Sequence, residues 1–493
     1  MNSKRTFFLF GISAVFLLTS CSGVKTACTV NCGGGGNATL TISLFDTPPT
    51  GTNVLSFTLP IAGISLTPST GSPQPVTIAL SSVEVTRLQS DSAVIADQAS
   101  VPAADYTAIS VTLGPTSSTN NLFINTSGST ITYGTHSCVN GAICVLPVGA
   151  VYTISIPLTL NLSANQNQWI GLDFNLNKAI TSSSGISVDF SQTGVLTATT
   201  TTRTGIPSGS VDTLEDFTGV VTAYTTGSSI TVRSDIRGAS LTAVLSASTE
   251  YDLAPSSYSL CQSTAAACVT VGSTVSMDTT VSSSGTFTAT EVDVLDATAV
   301  DEVEGIIYPT QTAGEFGMVL ADKVSASGNA TLSAATATYG SSVLLTLNAT
   351  SYSVDTKTLS SLLSGNTGFS GSGDLLGGQV VRAQITGIST DNSGNITASA
   401  NNMLLRYSRL SGTVNSVAGS VFTVASLPGY INALNTSLSS TPQVFTYQTL
   451  TAFDGITGLS DSAFQAGTSV SIRALYLNTP AQYPFQAAKV RVP

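Results

Sequence analysis

The chain holds 493 residues, of which only 9% are charged against about 25% in ordinary globular domains, and its net charge is -11. So few Lys and Arg, 16 in all, cannot form the basic patch that phosphate binding needs, which argues against nucleic acid as a partner. Domains hold about 50–200 residues, so three or four are expected rather than a single core. Thr and Val favour strands, and Gly, Asn and Ser mark turns, so the composition predicts an all-β protein with a hydroxyl-rich surface.

At the amino terminus, Lys4 and Arg5 precede the apolar stretch Phe7 to Leu18, and the run Leu18-Thr19-Ser20-Cys21 follows. A charged start, an apolar middle of about 7–15 residues and a small-residue cleavage site make a secretory signal, too short for the roughly 20 residues that span a bilayer. The layout resembles a bacterial lipoprotein signal. That resemblance implies cleavage after Ser20 and acylation of Cys21, with several acyl chains holding the protein to the membrane. Ser22, where an Asp would favour inner-membrane retention, implies the outer membrane, with the body on its periplasmic or surface face. No second apolar run reaches spanning length, so the acyl anchor is the membrane contact expected. The segment from Ser22 to Asn37, with Gly33-Gly34-Gly35-Gly36, reads as a flexible tether.

From Ala38 the pattern changes. Leu40, Ile42 and Leu44 alternate with Thr41, Ser43 and Phe45, the period of a strand with one buried face, and Asp46-Thr47-Pro48-Pro49 ends it. Further strands are expected at Val54 to Leu59, Ile61 to Leu66, Val76 to Leu80, Val83 to Leu88, around Tyr106 to Leu113, at Val151 to Leu162 and at Trp169 to Leu176. Turn signals between them predict an antiparallel β-sandwich over 38–203. Four segments, Leu40-Thr41-Ile42-Ser43-Leu44-Phe45-Asp46-Thr47-Pro48, Ile64-Ser65-Leu66, Pro102-Ala103-Ala104-Asp105-Tyr106-Thr107-Ala108-Ile109 and Leu172-Asp173-Phe174-Asn175-Leu176, resemble domain of unknown function 4382. That family occurs in exported bacterial lipoproteins and implies no catalytic residues.

The remainder repeats weakly. One unit opens at Gly219-Val220-Val221 and closes through Gly272-Ser273-Thr274-Val275. A second opens at Gly305-Ile306-Ile307 and closes through Gly378-Gln379-Val380-Val381, and a third opens at Gly412-Thr413-Val414 and closes through Gly467-Thr468-Ser469-Val470. Each reads as five or six short strands, too few to bury both faces of an open sheet, which predicts three small β-barrel-like repeats at 212–298, 301–408 and 409–493. The units resemble domain of unknown function 5666. Repeats this long are expected to stand as separate beads in an elongated rod.

With Cys21 assigned to lipid, six Cys remain, in three close pairs: Cys28 with Cys32, Cys138 with Cys144, and Cys261 with Cys268. An exported chain meets oxidising conditions, so local disulfides are expected. Zinc is the rival, and the single His of the chain, His136, stands against it. His136 would also have to serve any Ser-His-Asp triad, and no Gly-x-Ser-x-Gly elbow lies beside it. Asp173 and Asp189 are the sandwich carboxylates available for acid–base chemistry, although strand alternation puts both on a solvated face. Glu291, Asp293, Asp296, Asp301, Glu302 and Glu304 form the densest acidic stretch. It is read as the outer face of a strand and a linker, with calcium as the alternative. Trp169, with Tyr152 and Phe174, reads as core rather than as a sugar platform.

No catalytic residue, metal site or cofactor is therefore predicted. The expectation is a non-catalytic envelope lipoprotein that binds polysaccharide or an envelope protein or serves as a structural module. The alternatives are a secreted hydrolase of polysaccharide or peptide, and an accessory subunit of an envelope export or assembly system.

Overall fold

The computed structural model describes residues 36–46, 53–88, 91–181, 186–202, 206–253, 265–326, 337–356, 359, 368–392, 394–478 and 483–492; the signal, Cys21, Cys28, Cys32 and Cys261 lie outside them. The protein is all-β. Its sandwich strands are β1 (Asn37–Asp46), β2 (Thr58–Pro68), β3 (Gln74–Val76), β4 (Ala93–Pro102), β5 (Asp105–Leu113), β6 (Tyr152–Asn161), β7 (Asn167–Phe174) and β8 (Leu196–Thr199). One sheet has the order β8-β7-β1-β4 and the other β6-β5-β2-β3. Leu40, Ile42, Ile170 and Leu172 from the first sheet meet Leu66, Ile109 and Val111 from the second in one core.

The alternation expected in β1 holds on its inner face, but Thr41 and Ser43 are buried as well. As a central strand β1 is covered on both sides, and Trp169 lies over the outer one, donating from Nε1 to Ser43 Oγ at 3.0 Å. Within these two sheets the strands pair antiparallel except β1 with β7, which are parallel from Thr39 opposite Asn167 to Asp46 opposite Phe174. A parallel pair needs a long crossover, and here the whole second sheet supplies it. The segment Val83 to Leu88 is only briefly a strand: after Glu84 it turns into a 3-10 helix, Val85–Arg87, capped by the Glu84 side chain accepting from Thr86 N.

The repeats share one topology. In the first barrel the strands are β9 (Asp212–Thr225), β10 (Ser229–Ser234), β11 (Ala239–Val244), β12 (Thr274–Val281) and β13 (Phe287–Asp296). The second has β14 (Glu302–Pro309), β15 (Glu315–Val324), β16 (Ser342–Val354), β17 (Val380–Thr390) and β18 (Ile396–Arg406). The third has β19 (Ser408–Ala418), β20 (Val421–Ala425), β21 (Gln443–Thr446), β22 (Ser469–Tyr476) and β23 (Phe485–Arg491). In each, the first strand pairs with the second and fourth, and the ring closes where the third and fifth run parallel.

The repeated glycines explain the recurrence. A Cβ on Gly219 or Gly305 would lie 2.0 Å from the carbonyl oxygen of Arg233 or Val319, and one on Gly412 would lie 2.4 Å from Val424 Cγ1. At these positions the first strand crosses too near the second for any side chain. Gly272, Gly378 and Gly467 start the return to the fourth strand with φ of 97°, 94° and 93°, a region L-residues rarely enter. Their N–H groups donate to Val221, Ile307 and Val414 oxygens at 2.9, 2.9 and 2.8 Å, one bond made three times.

The expectation of separate beads in a rod is corrected. Leu55, Leu122 and Ile124 of the sandwich share a cluster with Val319 of the second barrel and the core of the third. Leu475 and Leu477 of the third barrel enter the core of the second, and Ile236 of the first packs against that core. Short strands leave each barrel with apolar surface its own ring cannot cover, and the neighbours cover it.

Replacing Gly305 with Ala forces backbone apart and should cost about 1–3 kcal/mol. Gly63, whose added Cβ meets nothing within 4 Å, should accept Ala with a change of less than about 1 kcal/mol. Urea unfolding of the two variants checks the contrast.

Candidate functional site at the junction of sandwich and barrels

The three barrels repeat a backbone but not its charges. Three residues before the crossing glycine stand Asp216 in the first barrel, Glu302 in the second and Arg409 in the third. Asp216 N donates to Asp278 at 2.7 Å, Glu302 lies in register with Gln384, and Arg409 with Arg473. This end of each ring faces the other barrels, so acids of the first barrel meet bases of the third. Asp216 accepts from Arg409 Nη2 at 2.8 Å and from Arg473, and Arg406 Nη2 of the second barrel lies 3.8 Å away. Arg473 Nη1 is also 3.0 Å from Asp278. Lys489 Nζ reaches Glu215 at 2.5 Å and Asp454 at 2.9 Å.

The second barrel carries its own pairs. Arg382 donates from Nη1 to Glu302 at 2.8 Å and from Nε to Glu304 at 3.0 Å, with Asp322 at 4.0 Å. Arg406 joins Glu304 at 3.4 Å and Asp355 of the same barrel, and also Asp293 of the first barrel at 3.1 Å. The sandwich enters through the turn after β3. Arg87 donates to Ala321 O at 2.7 Å, Asp91 accepts from Glu215 N at 2.8 Å and lies 3.5 Å from Arg409, and Ser92 donates to Asp212 at 2.5 Å.

Burial and charge compete at each carboxyl. Burial would raise Glu215, but Lys489, Arg491, Arg473 and Arg409 outweigh it and hold the group far below the usual carboxylate range. Glu304 is likewise lowered, burial losing to Arg382, Arg406 and Arg87. At Glu302 burial wins over Arg382 and pushes the carboxyl up to about 7. Burial also raises Asp91 to about 6 against the pull of Arg409, and Asp296 to about 6.

The acidic stretch therefore does not lie on an outer face. Asp293, Asp296, Glu302 and Glu304 are all buried, and guanidinium groups are their counter-charges. Among the described residues no group of three or more His, Cys, Asp or Glu side chains is placed to hold a metal ion.

Beside this network, between the sandwich, the first barrel and Tyr339 of the second, lies a cavity of about 340 Å³. Leu80, Val94, Leu214, Phe217, Leu241 and Phe287 supply apolar wall, while Glu84, Arg87, Asp91, Asp97, Arg237 and Tyr339 are among the residues that supply polar groups. A smaller space of about 60 Å³ sits inside the network among Arg87, Arg409, Arg473, Asp216 and Glu84. It has room for a few waters, each needing about 10–15 Å³ by this measure.

The expected sites fall elsewhere. His136 is exposed on a small hairpin, its ring stacked on Tyr133 at 5.5 Å. Cys138 and Cys144 form a disulfide. Cys268 is disulfide-bonded too, while Cys261 lies outside the described residues. Asp189 sits in a surface turn, held down by hydrogen bonds from Ser191 and Gln192. The carboxylate that Asp173 acts on is Asp46, which burial first, and then Asp173 and Glu84, raise well above the usual range. Trp169 and Phe174 are buried, and Tyr152 is exposed on the other sheet. None of the junction arginines was singled out from the sequence. The available signal was charge amid apolar alternation, as at Arg406, Arg409 and Arg473, in a chain where charge is scarce.

Fold and junction define an all-β protein in which a sandwich is built onto three like barrels. The family model described as Domain of unknown function (DUF4382) matches residues 37–188, most of the sandwich. No curated protein matches the chain. A solved structure, drosophila Unr CSD456, aligns at 9% identity over 57% of this chain and 97% of that chain, with a TM-score of 0.12 that defines no common fold.

Changing Asp216 to Asn keeps a residue that tolerates its φ of 51° but leaves buried guanidinium groups short of charge. It should cost about 3–5 kcal/mol in urea unfolding, whereas Asp189 to Asn at the surface should cost less than about 1 kcal/mol. Glu302 holds its proton up to about pH 7 when folded and to its ordinary 4.5 when unfolded. Its contribution to stability is thus full below pH 4.5 and lost as pH rises through 7. The stability of the parent relative to Glu302→Gln should therefore fall between pH 4.5 and 7.5, as thermal unfolding at several pH values would show.

Proposed function

We propose that this chain is a non-catalytic binding module of a bacterial cell envelope, lipid-anchored through Cys21 and carrying a small-molecule site in the junction cavity. The observation that carries the proposal is that cavity of about 340 Å³, mostly apolar with a few polar groups at a domain boundary, the setting in which ligand pockets of roughly 300–1,000 Å³ occur. Its position beside ion pairs that already hold the domains together supports a preformed site. The lipoprotein-like signal and Gly-rich tether support the address, and the shared barrel topology supports the likeness of the repeats to domain of unknown function 5666.

Outer-sheet hydroxyl pairs favour a second role, contact with polysaccharide or an envelope protein. Thr112 with Thr153, Ser110 with Ser155, and Thr231 with Thr242 stand 2.9, 3.3 and 2.9 Å apart on exposed faces.

Alkyne-palmitate labelling should mark the parent and leave Cys21→Ser unmarked. In a thermal-shift screen of small apolar acids, bases and neutrals, at least one compound should raise Tm, since ligand at 100 times Kd adds about 2.7 kcal/mol. Ala239→Trp, which fills the cavity, should cancel that shift. A screen in which nothing stabilises the parent removes the binding role.

A further inference from the structure

We infer that the junction cavity takes an amphiphile with a hydrocarbon body and a carboxylate head, the carboxylate bound by Arg237. This rests on the cavity's being a ligand site, as proposed above, and names what the site selects.

Arg237 stands in the turn between β10 and β11 and forms part of the cavity wall. Its guanidinium Cζ lies over the Phe217 ring, 4.6 Å from the centroid, and Nε donates to Tyr339 Oη at 3.1 Å. These two contacts hold the fork in place at the cavity wall. Nη1 and Nη2 have no hydrogen-bond partner among the described residues. The other arginines at this junction, Arg382, Arg406, Arg409 and Arg473, each make ion pairs within 4 Å. The acids around it have other partners or face solvent: Asp91 accepts from Ser92 N and Glu215 N and lies beside Arg409, Glu84 accepts from Ser56 Oγ, Phe57 N and Thr86 N, Asp322 accepts from Lys323 N and lies 4.0 Å from Arg382, and Asp97 is exposed. A planar fork with two unused donor groups fits the two oxygens of a carboxylate.

The apolar part of the wall selects the body. Val94, Leu214, Leu241 and Phe287 offer no charge and no hydrogen bond, so they exclude water and strengthen the ion pair at the polar end. At the 10–15 Å³ per water that applies to the smaller space, about 340 Å³ has room for more than about twenty waters, enough for the dozen heavy atoms of a saturated acid of about ten carbons. Tyr339 Oη, next to the head, can also donate to a carboxylate oxygen.

Decanoate, decan-1-ol and decyltrimethylammonium, titrated calorimetrically into the full chain, separate the possibilities. Decanoate should bind saturably with one site, at least tenfold tighter than the alcohol, and the cation should show no saturable heat. Each methylene removed from decanoate should weaken binding about fourfold. Arg237→Gln should bring decanoate to the level of the alcohol and leave the alcohol unchanged, and Ala239→Trp, folded by circular dichroism, should abolish both. If Ala239→Trp does not fold, the charge series on the parent and Arg237→Gln still decides. Equal binding of acid, alcohol and cation, or decanoate binding untouched in Arg237→Gln, overturns the assignment of ligand class while the cavity remains a ligand site. Absence of saturable binding by all three overturns both.

Discussion

Asp216 is met by three arginines from two other barrels, and the rest of the architecture depends on that buried convergence. Taking charge out of water is costly, and a buried ion pair is favourable only when geometry and further hydrogen bonds compensate. Here each guanidinium faces more than one carboxylate. The scarcity of charge in the chain has a structural counterpart: much of it is spent inside, where domains meet. Three copies of one ring would otherwise offer near-identical ends to each other. Acids in the first, bases in the third and both in the second make the contacts distinguishable, because exchanging barrels would set like charges together in a medium of low dielectric.

That constraint also shapes the cavity. Ion pairs draw the third barrel against the first, and Arg87, Asp91 and Ser92 bring the sandwich onto all three barrels. Curved surfaces joined along their polar edges do not meet everywhere, and the gap is closed by Phe217, Phe287 and Val94 on its walls. Arg237 differs from its neighbours in lacking an ion pair within the described chain while sharing their setting. The outer sheets, free of this task, carry paired Thr and Ser hydroxyls.

Several features were readable from residue order. The period of two around Leu40 to Leu44 marked a strand, the recurring glycines marked three equivalent units, and the turn signals separated them. Local chemistry explains why: alternation, positive φ and close backbone approach depend on neighbours in sequence. Strand β4 was harder to see, since Ala93-Val94-Ile95-Ala96-Asp97-Gln98 lacks clean alternation and its edge position tolerates polar residues. The burial of Asp293, Asp296, Glu302 and Glu304 is hidden from the sequence for a related reason. Alternating acids read as a solvated face unless a cation from elsewhere in the chain covers them, and Arg382 and Arg406 lie 78 to 113 positions after the acids of the stretch with which they pair.

By itself the sequence determined the all-β class, the likeness of residues 37–188 to a known domain and the threefold repetition, because these follow from periodicity and backbone sterics. Only the tertiary structure decided that the units share cores rather than string out, that the acidic run is buried, and where a cavity opens. Those outcomes turn on contacts between residues hundreds of positions apart, such as Arg473 with Asp216 and Arg409 with Asp91, and desolvation makes the energy of such a pair depend on everything packed around it.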